Sequence, residues 1–303
     1  MAPVALDSTP AAGPVQPFKQ NLSNLPENPL ERTYRGNKQG TIHMEGIPQF
    51  DNPYQKREWV KEQLAIGFQY WGKEGYAEGL SGHITVRDPV WPDHYWMNPI
   101  GVHFSAITVS NLVLVSPEGY VHPEGAQLPI NAAGIMIHSA IHKARPEVQV
   151  AAHCHSLHGK AWSVFGKPID IMTQDACLFH DNLAVYKNFG GIVLAPEEGK
   201  NIADALGPTK MAAILQNHGL LTLGMESVAE AVYIFQNLER LCKVQLMVEA
   251  AAANGLEKRI IDEEDAAFTA ATLKNPHNIY ANFRPEMELL KMERGHLFLK
   301  FEV

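Results

Sequence analysis

Cysteine is scarce in this chain: 303 residues carry only Cys154, Cys177 and Cys242, too few and too scattered for a disulfide framework or a paired-cysteine zinc module. A reducing compartment is therefore the default, and the cytoplasm the expected location. Positive charge is also short. With 25 Lys and Arg against 33 Asp and Glu, the formal net charge is -8 and no clustered basic face is offered to a phosphate backbone, so nucleic acid is not an expected partner. No apolar run is long enough for a membrane span. Met1 to Asn28 holds one lysine, no arginine and no apolar core, which argues against a secretory or mitochondrial leader. What is present is a chain 46% hydrophobic and 19% charged, able to bury a full core around a small-molecule site.

Residues 1–50 are rich in Pro, Asn and Gly without a sustained period, and are expected to be extended or disordered. One domain is expected over 51–255, with 256–303 an extension packing on it or on a neighbouring subunit. Trp59, Leu64, Ile66, Phe68 and Trp71 predict a helix over Lys56–Trp71 that Gly72 and Gly75 end. Gly82–Arg87 alternates as a strand, whereas the Pro- and Trp-rich run Val90–Pro99 suits neither element. Leu112–Val115 and Tyr120–Val121 read as short strands around a turn, and Asn131 caps a helix running to Lys143. Further strands are expected at Val148–Ala152, Pro168–Met172, Gly191–Leu194 and Gly219–Gly224, with a short helix at Glu198–Leu206 and a long one from Ser227 to Ala253. Interleaved strands and helices predict a three-layer α/β/α sandwich.

Chemistry enters with histidine. His153-Cys154-His155 ends an apolar strand, and residues i and i+2 share one strand face, so the two imidazoles can grip one ion while the cysteine faces away. Most of the 14 histidines of such a chain would be surface or satisfied core groups, but His218, in Gln216-Asn217-His218-Gly219, also follows an apolar run. Two strand ends bearing donors can converge on a metal.

Taken together, Gly82-His83-Ile84-Thr85-Val86-Arg87, Asn131-Ala132-Ala133-Gly134, Ile137-His138-Ser139-Ala140-Ile141, Ala144-Arg145-Pro146, His153-Cys154-His155 and Gln216–Thr222 resemble the class II aldolase and adducin head-domain family, over roughly Pro53 to Ala253. The resemblance implies a central, mainly antiparallel sheet and one divalent ion per subunit on His153, His155 and His218, most often zinc, with manganese, cobalt or iron as alternatives. It also implies a homotetramer with active sites near subunit contacts. A three-histidine site is neutral, so the ion keeps its charge and stabilises an enediolate or related carbanion.

The chain departs from the sugar-phosphate aldolases at two places. Their acid/base glutamate stands four residues before a histidine matching His138, and Gly134 stands there in this chain, as in adducin-like members. Their phosphate donors correspond to Gly82-His83, Ile100-Gly101 and Ala132-Ala133, which have lost hydroxyl and amide groups. The expected substrate is a carbonyl or hydroxy acid without phosphate, cleaved by decarboxylation or retro-aldol chemistry. The alternatives are an adducin-like scaffold and a dehydratase or epimerase using the same metal. Gly82, His83, Gly101, His103, Gln174 and Tyr186 are candidate substrate contacts; His180, Asp181 and Glu124 are candidate replacement acid/base groups, with Asp175 beside them. His138 is expected to be structural.

Overall fold

A computed structural model describes residues 20–21, 23, 25–191 and 196–295. The expected tail up to Lys19, the centre of the Gly191–Leu194 strand and the C-terminal residues 297–301 lie outside the described residues. Helices α1 (Pro53–Lys73), α2 (Ala132–Ala144), α3 (Leu157–Ser163), α4 (Pro196–Leu206), α5 (Val228–Ala252), α6 (Glu263–Leu273) and α7 (Pro276–Arg294) surround a seven-stranded sheet. Its strands are β1 (His83–Arg87), β2 (Tyr95–Met97), β3 (Val113–Val115), β4 (Val150–Cys154), β5 (Leu183–Tyr186), β6 (Ala212–Leu215) and β7 (Gly219–Gly224), in the order β3-β2-β1-β4-β7-β6-β5. Every pairing is antiparallel except β5 with β6, so the mainly antiparallel α/β/α sandwich is what forms.

The period of two along each strand sorts residues between the helical layers. Ile84, Val86, Val150, Ala152 and Cys154 join α1 and α5 in the larger core, with Phe68, Trp71 and Phe235. Ala151, Ala213, Leu221 and Leu223 face α2 and α4, against Ile137, Ile141 and Ile202. His153 follows Ala151 by two, on the α2 side. Helices start where side chains satisfy the first free amides: Asn131 accepts from Gly134 N, and Ser227 with Glu230 forms a reciprocal capping box.

Three expectations need correction. Tyr95–Met97, inside the segment set aside as irregular, is a fully buried strand, because β1 and β3 pair it on both sides and supply the ladder that its composition did not advertise. Pro168–Met172 is not a strand: Ile169 is buried, but Asp170 N donates to the Gln245 side chain and no ladder forms. The strand after it is Leu183–Tyr186, parallel to β6. Tyr120–Val121 contributes only a single bridge, Val115 to Val121.

Residues 262–294 close the α1/α5 side, where Ile279, Phe283, Met287 and Leu290 of α7 belong to the larger core. Leu30, in a 3-10 turn at Pro29–Arg32, and Ile47 are buried as well. No helix among the described residues is long and apolar enough to cross a membrane.

Candidate metal centre

The sheet register builds the site. β4 carries His153 to its end and releases His155 just beyond it, while β1 sets His83 directly opposite His153. The tight connection from β6 to β7 supplies the third imidazole: Asn217 takes a left-handed backbone, φ 59°, and His218 N donates to Leu215 O at 3.0 Å. Asparagine tolerates that conformation better than most residues.

One ligand nitrogen from each of His153, His155 and His218 falls within 4.8 Å of the others, and the ring centroids stand 4.6–5.2 Å apart. His153 Nδ1 donates to Leu220 O at 2.8 Å, which leaves Nε2 as the bare nitrogen for an ion. Burial and then mutual repulsion hold the triad neutral: His218 is pushed down to about 4 and His153 well below its ordinary range, while burial lowers half-buried His155. Neutral, converging and separated by ion-sized gaps, these donors fit a divalent cation. Cys154 points to the other face, buried, its thiol pushed far up by desolvation; it is not a ligand.

The candidates divide. His83 is buried beside the triad, its ring 5.3 Å from that of His153 and 4.4 Å from that of His138. A Cβ on Gly134 would lie 2.7 Å from His83 Cε1 and Nε2, so the imidazole occupies the space that a larger residue at 134 would claim. Desolvation, with repulsion from His218 and His155, lowers His83 to about 3, and neither of its nitrogens has a partner. Gly82 sits at φ 91° with a Cβ position 2.8 Å from Cys154 and Phe104, a backbone role. Gly101 turns at φ 83° near Leu80, and exposed His103 accepts from Ser105 N to start a 3-10 turn.

Of the other candidates, Glu124, His180, Asp181 and Tyr186 have partners of their own. Glu124 pairs with Arg57 at 3.2 Å, an arginine that also holds buried Asp88. His180 lies 3.7 Å from Asp181 and 3.4 Å from Glu263, two exposed carboxylates that with it form a second group of convergent oxygen and nitrogen atoms. Such exposed acidic groups are common without an ion. Gln174 and Asp175 are exposed, and Tyr186 donates to Glu198 at 2.9 Å.

Several contributors escaped the sequence reading. Buried Glu239 on α5 accepts from Ser156 Oγ at 2.5 Å, Gly159 N at 2.6 Å, and His158 N and Nδ1 at 2.9 Å, fixing the turn that carries His155. It is 84 positions from His155, and no local pattern marks it. Glu78 and Lys160, paired at 2.6 Å, are the side-chain charges that act on His155. Thr85 bonds both His138 and His142. The spacing of those histidines, four apart on one helix face, was the available signal.

A family model described as the Class II Aldolase and Adducin N-terminal domain matches residues 62–246. The chain is 37% identical to the Meiotically up-regulated gene 14 protein of Schizosaccharomyces pombe, over 79% of its own length and 92% of that protein. It is 38% identical to Decarboxylase NovR of Streptomyces niveus, over 71% of its own length and 79% of that protein. A solved structure named L-fuculose 1-phosphate aldolase from Glaciozyma antarctica PI12 matches with a TM-score of 0.76 and 41% identity, covering 84% of this chain and 97% of that one.

Proposed function

Because the chain belongs to the class II aldolase and adducin N-terminal domain family, we propose that it is a divalent-metal-dependent lyase acting on a non-phosphorylated carbonyl or hydroxy acid, by decarboxylation or retro-aldol cleavage. The observation that carries the proposal is the pairing of three neutral, convergent imidazoles with a glycine at 134 whose space is filled by His83. His153, His155 and His218 would hold a divalent ion, zinc first and otherwise manganese, cobalt or iron, which would supply an electron sink for the substrate.

The protein's own groups do the rest. Burial of His83 and His153 keeps water from the inner side of the site, where fixed dipoles act more strongly than in water. Lys160, at the more exposed His155 side, pairs with a substrate carboxylate in place of Glu78; an exposed ion pair of this kind is worth only about 0–1 kcal/mol and exchanges readily. Without a glutamate at 134, decarboxylation, which needs one proton at the carbanion, demands less of this site than the paired acid and base steps of aldol cleavage. A homotetramer accords with the family, and a dehydratase or epimerase would use the same three histidines. A purely scaffolding role is disfavoured by the complete ligand set.

The test is to load the purified protein with each metal, measure stoichiometry, and screen aromatic keto and hydroxy acids for CO2 while assaying L-fuculose 1-phosphate for aldehyde. Carbon dioxide release that His218→Ala abolishes supports the proposal. Cleavage of the sugar phosphate alone overturns its substrate class, and a protein that binds no metal and turns over nothing is a scaffold.

A further inference from the structure

Behind the triad lies a line of buried polar groups that the proposed chemistry does not use. His142 Nδ1 is 3.2 Å from Val148 O, Thr85 Oγ1 is 2.9 Å from both His142 Nε2 and His138 Nδ1, and His138 Nε2 has no partner. The next ring in the line is His83, whose two nitrogens are also unpartnered. Buried polar atoms without partners are rare and costly, and three on adjoining rings call for a cause.

Donor and acceptor counting decides the protons of His142, Thr85 and His138. A carbonyl only accepts, so His142 Nδ1 carries the hydrogen and its Nε2 is bare. The Thr85 hydroxyl has one hydrogen and gives it to His142 Nε2. It therefore has only lone pairs left for His138, whose Nδ1 must donate, leaving His138 Nε2 bare. Each deduction needs neutral rings, and burial supplies that: His142 is lowered to about 3 by desolvation and then by Arg87, and His138 is held well below its ordinary range by desolvation. Tyr95 stacked on His142 at 4.5 Å keeps the first ring from turning, and the Arg87 guanidinium holds the His142 backbone carbonyl.

We infer that Thr85 is a tautomer lock: it fixes the proton of His138 on Nδ1 and leaves His138 Nε2 as a bare acceptor in the ring packed against His83. Thr85 and His138 are then positioning residues, with the His138 ring packed against the imidazole that fills the space beside Gly134. The effect on turnover rests on the metallo-lyase reading; the tautomer does not.

The full chain, labelled with 15N-histidine, is examined by two-bond proton–nitrogen spectra at pH 7.5, with His138 assigned from His138→Gln. His138 is expected as the Nδ1–H form in the wild type, to change in Thr85→Val, which keeps the shape without the hydroxyl, and to return in Thr85→Ser. On an acid substrate, Thr85→Val is expected to lower kcat about tenfold with KM and metal stoichiometry unchanged, and Thr85→Ser to recover it. An Nε2–H form of His138 in the wild type, an unchanged tautomer in Thr85→Val, or equal loss in the Val and Ser variants overturns the inference. If Thr85→Val does not fold, the wild-type and Thr85→Ser spectra decide. If no acid is turned over by the wild type, the metallo-lyase reading fails while the spectra still judge the lock.

Discussion

Substituting Gly134 by alanine should change sign with the residue at position 83. The added Cβ would stand 2.7 Å from two His83 ring atoms and 2.8 Å from a third, where ordinary contacts begin near 3.4 Å, so the ring must retreat by several tenths of an ångström. It has little room, because His138 and His153 pack against it at centroid distances of 4.4 and 5.3 Å. Overpacking of this kind costs about 1–3 kcal/mol, whereas replacing glycine by alanine inside a helix returns about 0.5–1 kcal/mol. The net expectation for Gly134→Ala is a loss of up to about 2.5 kcal/mol. In a His83→Ala background the clash is gone and only the helix gain remains, so the same substitution should stabilise by about 0.5–1 kcal/mol. Urea unfolding of the four proteins, stripped of metal and at constant pH, measures both values. Equal effects in the two backgrounds would refute the claim that the His83 ring occupies the space at 134.

Further outcomes are expected at other positions. His153→Ala and His218→Ala should each abolish stoichiometric metal binding, measured by elemental analysis after dialysis, while far-ultraviolet dichroism stays native. Glu239→Ala should destabilise the fold by about 3 kcal/mol, because four donors lose a buried carboxylate, and should weaken metal binding about 10–100-fold in a chelator competition. Unchanged affinity would show that His155 does not depend on that brace. The metal-free protein should lose stability as pH falls below 6.5, since His83 and His142, lowered to about 3, and His138 stay neutral when folded but take up protons when unfolded. Their contribution is complete above 6.5 and declines toward pH 3 by up to about 1.4 kcal/mol per histidine per pH unit. A flat urea midpoint between pH 7.5 and 5.5 would contradict it.

The periodic elements were legible because periodicity is local. The α1 stripe, the Asn131 and Ser227 caps, and strands β1, β4 and β7 follow from residues within a few positions of one another. Tyr95–Met97 was not legible, since a three-residue strand owes its state to two neighbours in the sheet, and Pro168–Met172 carries a strand-like composition with no edge to join.

The site divides in the same way. By itself, the sequence marked the candidate donors: the His-x-His spacing on a strand end and the histidine in the β6–β7 turn follow from backbone geometry over a few residues. It also determined that position 134 lacks a carboxylate. Only the tertiary structure decided what fills the space beside Gly134, because His83 reaches it through the pairing of β1 with β4 and the packing of α2 across them. The same packing placed Glu239 under His155 and joined Thr85 to two helix histidines, while Glu124 and His180, chosen for their chemistry, found partners elsewhere. A side chain's chemistry belongs to its residue, but its partners are set by contacts across long stretches of chain, which no local pattern records.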